Sequence, residues 1–402
     1  MNGQNIIMVC QQNWDIGTGT NAKNLAKEFA KKNRVLYVNL PLDVNTLLRA
    51  HKEPGVKIRI RMLLGQEESL VKAQPNIWVY SPDVLGLSTN WLSSQSIFSL
   101  LNNLNAWMLA RSIRKVAQVV GFDSYYLLQD GLIFPGLELK RLLKPRKFIY
   151  YLRDYMIAVP YFRRHGPWLE AALLKQADVV AANSAYLADY ARQHNPHSYD
   201  IGQGCVLTLY QAHTQYPLPT ELTWLPKPLI GYTGYLTTAR LDLELLLAIA
   251  RRQPSWSLVL VGPEDEAFAQ SPLHDLPNVF FPGSKVPSEL PAFLSHFDVC
   301  INPQVVNEIT VGNYPLKIDE YLAMGRPVVA THTRTMELFQ DYVYLASSED
   351  EWIELLAKAL VDQDPNLVEA RVRFAHNHTW EASVGQLYRA LNEVEHQSSN
   401  VI

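Results

Sequence analysis

The chain is poor in the residues that staple or mark many proteins. Among 402 residues there are three cysteines, Cys10, Cys205 and Cys300. They are odd in number, far apart and set in apolar surroundings. That excludes a disulfide framework and a cysteine-based zinc site, and leaves reduced core thiols. No window approaches about 18 uninterrupted apolar residues, so no membrane-spanning helix is expected. The opening MNGQNIIMVCQQNWD lacks the basic start and long apolar stretch of a secretory leader, and a cytoplasmic protein is expected. The net charge is only −3, from 36 basic and 39 acidic side chains, which gives no reason to expect a nucleic-acid partner. The patterns G-x-x-x-x-G-K-[ST], H-E-x-x-H and G-x-S-x-G are absent. Their absence removes the P-loop, the zinc-protease helix and the nucleophile elbow.

What is present is a chain 48% hydrophobic and 19% charged, enough to bury a sizeable core, at a length suited to two domains. Apolar, β-branched runs predict strands at 5–10, 34–40, 76–81, 124–129, 147–154 and 177–184. Helical patterns at 21–33 and 95–120 lie between them. Continuous apolar strands spaced by helices imply a parallel sheet covered on both faces. Periodicity stops in the proline-rich stretch 209–228 and then restarts. Strands are expected at 229–234, 256–262, 278–283, 298–303 and 327–331, with a helix at 241–253. A final amphipathic helix is expected at 379–397, capped by Thr379. The expected fold is α/β: two Rossmann-like, doubly wound parallel-sheet domains facing across a cleft. Residues 1–210 form the first, 211–228 a linker, and 229–378 the second. In such sheets ligands meet the carboxyl ends of strands and the helix N-termini that follow.

One segment, PLKIDEYLAMGRPVVAT (315–331), carries the sharpest signal. Pro315 suits the first turn of a helix, Gly325 a left-handed C-terminal position, and Pro327 the start of a buried strand. At helical spacing Lys317 and Glu320 share a side, while Ile318 and Leu322 point elsewhere. A lysine is the wrong charge for a helix N-terminus unless an anion sits there. The free N–H groups of residues 313–316 and the Lys317 ammonium then suit a diphosphate, and Glu320 could hold a ribose diol. The plainer alternative is a weak surface pair at i, i+3.

The pattern P-x-K-x-x-E-Y-L-A-x-G-x-P-V-V resembles the donor-binding segment of retaining GT-B-fold glycosyltransferases of family four (glycosyl transferases group 1). Residues 230–263 are similar to that family's first strand, glycine loop, helix and second strand of the donor domain. Residues 169–191 resemble the end of its acceptor domain. Residues 378–391 resemble the terminal helix that crosses back to the first domain, so 379–397 is expected to pack there. The resemblance implies transfer of a sugar from a nucleoside diphosphate sugar, as co-substrate, to a hydroxyl with retention. The expected setting is cell-surface polysaccharide or glycolipid biosynthesis, with no metal and no other cofactor. It also implies site roles. Glu320 would hold the ribose; Lys317 and the amides of Asn313 and Tyr314 would meet the phosphates. Gly234 would let its loop approach the diphosphate, since a Cβ would obstruct it. Arg240 would help neutralise the leaving group, and Gly262 and Pro263 would flank the base.

Two departures from the family pattern stand out. The carboxylate eight positions before Glu320 is replaced by Gly312, leaving Asn313 or Glu308 for the sugar. The usual acceptor-domain histidine has no counterpart in YYLRDYM. There Asp154 is read either as orienting acceptor or donor sugar or as a cap, and Asp130 has the same standing. A catalytically inactive sugar-nucleotide-binding module and a nucleotide-sugar epimerase stay open as alternatives.

Three further signals need weighing. GTGTNA (17–22) fits G-x-G-x-x-A, but QQNWDI separates it from the strand and no acid follows at the next strand's end, against a dehydrogenase. The same loop, Gly17, Thr18 and Gly19, would face the donor phosphates in the transferase reading. DQD (362–364) matches a metal motif of the other glycosyltransferase fold, yet its place after a helix begun by the capping box SEDE reads as a helix-end turn. Five basic residues, Lys140, Arg141, Lys144, Arg146 and Lys147, interleave with apolar ones. They are expected either to touch anionic lipid at the inner face of the membrane or to form a solvated helix face.

Overall fold

The computed structural model describes residues 1–15, 20–308, 310–362 and 364–399. It divides into two compact units: Met1–Gly202 with the chain from Ser383 onward, and Gln203–Ala382.

The first unit is built on β1 (Asn5–Cys10), β2 (Arg34–Val38), β4 (Leu70–Gln74), β5 (Ile77–Tyr80), β7 (Tyr126–Asp130), β8 (Lys147–Leu152), β9 (Val179–Ala182) and β10 (Ser198–Asp200). Short β3 (Leu42–Asp43) and β6 (Leu85–Gly86) form a separate parallel pair. The main sheet runs β10-β9-β8-β7-β1-β2-β5-β4. All its neighbours are parallel except the edge pair β4–β5, which is antiparallel. Strand order reverses at β1, whose carboxyl end lies beside that of β7: Cys10 pairs with Asp130. The covering helices are α1 (Asn21–Ala30), α2 (Val44–Ala50), α3 (Pro54–Leu63), α4 (Gln95–Val119), α5 (Leu139–Leu143), α6 (Gly166–Gln176) and α7 (Ala185–Arg192). The stretch 41–75, without a clear period in the sequence, holds α2, α3, β3 and β4. Asp43 caps α2 by accepting from Asn45 and Thr46 N–H, and Pro54 opens α3.

The second unit has six parallel strands in the order β13-β12-β11-β14-β15-β16. They are β11 (Leu229–Thr233), β12 (Ser257–Val261), β13 (Val279–Gly283), β14 (Val299–Asn302), β15 (Val328–Thr331) and β16 (Tyr344–Ala346). Counted within the unit this is 3-2-1-4-5-6, the doubly wound order with its switch point between β11 and β14. Alternation along the strands feeds two cores. Ile230, Tyr232, Leu258 and Leu260 pack on one face, Leu229, Val259 and Val261 on the other. The helices are α8 (Leu243–Arg252), α9 (Glu266–Ala269), α10 (Leu290–His296), α11 (Leu316–Ala323), α12 (Glu349–Leu360) and α13 (Pro365–His376). Helix α14 (Trp380–Ser399) follows.

Residues 203–228, expected as a domain end and linker, contribute to the second core. Leu207, Tyr210, Leu222 and Leu225 are buried with Phe293 and Phe297, so the division falls at 202 rather than 210. Apolar residues spaced without a helical or strand period conceal such burial from a periodicity argument. Within the first unit α14 is held by the Asn33 amide, which donates to the Tyr388 hydroxyl at 2.9 Å, and by the Tyr126 hydroxyl, which donates to Glu395 at 3.0 Å. The Thr379 hydroxyl accepts from Ala382 N–H at 3.1 Å, the cap expected there. Among the described residues no helix is long and apolar enough to cross a membrane.

Candidate functional site

Lys317 and Glu320 lie one turn apart on α11, at the carboxyl edge of the second sheet. Pro315, at its N-cap, supplies no side-chain hydrogen bond to the helix start. The Lys317 ammonium lies 4.6 Å from the centroid of the Tyr232 ring. A cation over an aromatic face keeps its charge directed without pairing it to a carboxylate. Beside it is Gly234, the residue after β11, at φ +138°. A Cβ there would stand 3.3 Å from Lys317 Cε and 3.5 Å from Nζ. Gly262, after β12, has φ +156°, and its Cβ would fall 1.8 Å from the Gly234 carbonyl oxygen. Both turns therefore need glycine, and the two backbones pack directly against each other. Gly234 N–H donates to Val261 O at 2.9 Å, and Leu236 N–H to Pro263 O at 2.8 Å. Pro263 itself is exposed.

Glu320 is partly buried and hydrogen-bonded to the Tyr210 phenol. Burial pushes its carboxyl up to about 7, with the Tyr210 hydrogen bond and the Lys317 charge pulling the other way. Tyr210, in turn, is raised by burial and then by the Glu320 charge. Near neutrality Glu320 is thus poised between acid and carboxylate.

A buried knot lies beneath α11 and anchors the helix. Asp319, wholly buried, accepts from the Tyr314 hydroxyl at 2.8 Å and from Cys205 Sγ at 3.2 Å, and pairs with His378 Nδ1 at 2.6 Å. Cys205 N–H donates to the His378 carbonyl at 2.9 Å. A Cβ on the neighbouring Gly204 would collide with the Trp380 ring. The chain segments around 205 and 378 are so locked together behind the helix.

Several expected donor residues lie differently. The Asn313 N–H is engaged by the Thr310 carbonyl at 3.0 Å and Pro315 has none, so the amides at 313–316 are not a row of free donors. The loop closes on Thr310, whose carbonyl also accepts from Gln304 Nε2. The Tyr314 side chain, as distinct from its amide, belongs to the Asp319 knot. Arg240 is exposed, and its backbone carbonyl accepts from Val305 N–H at 2.9 Å, tying its loop to the segment after β14. Gly17, Thr18 and Gly19 lie outside the described residues.

In the first unit the expected acids meet at the switch point. Arg153 Nε donates to Asp130 Oδ1 at 2.8 Å, and Arg153 Nη1 to Asp154 Oδ2 at 2.6 Å. Asp130 is wholly buried and cannot touch a substrate; it positions Arg153. The Asp154 side chain keeps a third of its surface exposed. Beside the carboxyl ends of β2 and β5 lies a cavity of ≈ 140 Å³, lined by Leu40, Asp43, Thr89, Asn102, Met108 and Tyr161 among others.

The DQD aspartates have structural partners. Asp362 pairs with the buried Arg371 at 2.6 Å and accepts from the Tyr344 hydroxyl, and Asp364 caps α13. Among the described residues no group of three or more His, Cys, Asp or Glu side chains is placed to hold a metal ion. Sequence reasoning missed Tyr210, Asp319 and His378. The signal for Asp319 was present: an acid at the helical position facing the apolar side must find donors when buried. His378 entered the sequence reading only as the first residue of the segment 378–391 that resembles the terminal helix.

The family described as glycosyl transferases group 1 matches residues 227–362. The candidate teichuronic acid biosynthesis glycosyltransferase TuaH of Bacillus subtilis (strain 168) is 27% identical over 235 residues. That match takes in 55% of this chain and 58% of TuaH, little more than half its length. Among solved structures, sucrose-phosphate synthase of Thermosynechococcus elongatus superposes with a TM-score of 0.66 at 17% identity, covering 97% of this chain and 99% of that one. HepE of Anabaena, in complex with UDP, gives 0.66 at 15% identity, covering 97% and 100%. HepE structures with UDP and glucose and with UDP-glucose are also similar.

Proposed function

We propose, from the premise that this chain is a GT-B-fold protein related to the glycosyl transferases of group 1, that it transfers a sugar from a nucleoside diphosphate sugar to a hydroxyl. The acceptor is a growing cell-surface polysaccharide or a lipid-linked glycan, and the configuration at the sugar is retained. The observation that carries this reading is the Lys317 ammonium beside the Cα of Gly234, with Glu320 one turn further along α11. Lys317 offsets the charge of the leaving diphosphate, and the glycine turns let the chain approach it. Glu320, as carboxylate, accepts two hydrogen bonds from the ribose diol. Arg240, on its exposed loop, adds positive charge. In the first unit Asp154, fixed by Arg153, orients the acceptor hydroxyl. The acceptor oxygen bonds to the anomeric carbon on the face from which the diphosphate departs, and the departing phosphate takes the acceptor's proton, so the step uses neither an enzyme nucleophile nor an enzyme base. HepE's complexes make UDP the first nucleotide to try.

The test is calorimetry of UDP and of uridine with the wild type and Lys317→Ala. The variant should lose about ten-fold in affinity for UDP, the scale of one charge-assisted hydrogen bond, and far less for uridine. Equal losses for both ligands would place Lys317 away from the diphosphate. UDP release from UDP-sugars in the presence of membrane extract separates a transferase from a module that binds without turnover.

A further inference from the structure

We propose that the first unit docks on an anionic lipid bilayer through α4 and the adjoining α2–α3 segment. The apolar ridge of α4 enters the headgroup boundary and the neighbouring cations meet lipid phosphates. This goes beyond the transferase reading and does not depend on the donor site.

Helix α4 shows apolar residues on two sides. Its buried face carries Phe98, Ala106, Leu109 and Ile113. On the opposite side Ile97, Leu100, Leu104 and Trp107 are 52, 70, 43 and 45% exposed. They stand at i, i+3, i+7 and i+10, a single stripe facing solvent. A covering helix ordinarily presents charge there, and an exposed apolar stripe marks an interaction surface. Arg111, Arg114 and Lys115 continue the same face after the stripe ends, and the helix contains no acidic residue. Apolar residues followed by cations on one face, with Trp among them, suit the interfacial zone of a bilayer.

The α2–α3 segment repeats the pattern. Leu48, Ile58 and Leu64 are 70, 42 and 66% exposed, among Arg49, Lys52, Lys57, Arg59 and Arg61. The two parts are joined. The Ser88 hydroxyl donates to Asp43, the α2 cap, at 2.8 Å, and the adjacent Leu87 is bonded at both N–H and carbonyl by Asn105 of α4. Residues 44–64 and 91–119 together hold eight Lys and Arg against one acid, Glu53, in a chain whose net charge is −3. Three of these cations have exposed acidic neighbours: Arg59 with Asp15, Arg61 with Glu67 and Lys115 with Asp83. Arg111 lies over the Trp107 ring.

Charge complementarity selects the occupant. A second copy packed on this face by a two-fold axis would set the cations of one chain against those of the other. A nucleic acid would leave the apolar ridge unmatched. Anionic lipid satisfies both halves. The basic run at 139–147, the sequence's own candidate for this role, is less suited. Lys140 is bonded to the Gln176 carbonyl and Asp178, Arg141 to Glu138, and Arg146 to Glu395, while Leu139 and Leu143 are buried.

The experiment is co-sedimentation of the full chain, without nucleotide, with vesicles of phosphatidylcholine alone or mixed with phosphatidylglycerol, at low and high salt. The wild type should bind the mixed vesicles at low salt at least about ten-fold better than pure phosphatidylcholine. The triple variant Leu100→Ser, Leu104→Ser, Trp107→Ser should lose about ten-fold or more. Arg111→Glu with Arg114→Glu should lose as much and flatten the salt dependence. Arg141→Glu with Lys144→Glu, at exposed positions of the 139–147 run, should change binding by less than about two-fold. Unchanged thermal midpoints certify folding of the α4 variants, whose substituted side chains are exposed. The proposal is overturned if the wild type ignores phosphatidylglycerol or if the triple variant binds as well as the wild type. A concentration-dependent dimer abolished by the triple variant would overturn it equally, by giving the face to a second copy.

Discussion

The two sheets end in different electrostatic arrangements at their switch points. In the first unit a guanidinium ties two carboxylates, Asp130 and Asp154, at 2.8 and 2.6 Å, so each of the three charged groups has an opposite charge in direct contact. In the second, Lys317 rests on an aromatic face and Glu320 is held near its titration point by burial. The first arrangement fixes a side chain in place. In the second, the ammonium meets a ring and the carboxyl a phenol, partners that carry no opposite charge, which suits a ligand site. The difference says why a cation and an acid one turn apart on α11 are not simply a salt bridge: Tyr232 and Tyr210 each engage one of them first.

The largest effect that could break this contrast is at Arg153. Arg153→Ala leaves the wholly buried Asp130 without its cation and should cost about 3–5 kcal/mol in denaturant unfolding. Adding Asp130→Asn should recover much of that. A cost below about 1 kcal/mol, the scale of an exposed pair, would show that the Arg153–Asp130 contact is not shielded from water.

Glu320 should behave in the opposite sense. Glu320→Ala should weaken nucleotide binding by about 1.5–3 kcal/mol, the range for a hydrogen bond to a charged group, with the fold intact. Its pH dependence sharpens the point. The folded-state value of about 7 lies above the ordinary 4.5, so the folded chain holds the proton more tightly. The stability this group contributes is present at low pH and is lost as pH rises through 7. Binding a ribose diol needs the carboxylate, so affinity should rise over the same interval. Glu320→Gln should flatten both profiles, as read by thermal midpoint and calorimetry. An unchanged affinity profile would remove Glu320 from the nucleotide.

The smallest effect is at Tyr210. Its hydrogen bond lowers the Glu320 value, so Tyr210→Phe should move the midpoint of the affinity profile to higher pH. The accompanying stability loss should be about 0.5–1.5 kcal/mol. A midpoint that stays put would show that Tyr210 does not hold Glu320 in solution.

Much of the architecture was readable from spacing. Runs such as IIMVC and LVLV are apolar without alternation because both faces of the sheet are covered, and each lies in a buried strand. Gly234 was marked as a close-approach position and Gly262 as a residue beside the base, and both have positive φ. The segment 41–75 was opaque because its helices and strands are short and mostly exposed, as at α3, where Val56 alone is buried. The row of free amides expected near Asn313 fails for a different reason. The loop before α11 folds back on Thr310, a contact that no period encodes.

By itself, the sequence determined that two parallel sheets would form and that Lys317 and Glu320 would share one side of a helix. Those are consequences of local period and helical pitch, which a single chain segment specifies. Only the tertiary structure decided that Asp319 would be anchored by Cys205 and His378, residues 114 and 59 positions away, and that burial would hold Glu320 near neutrality. Which donors surround a carboxyl, and how much water reaches it, depend on segments brought together by the whole fold.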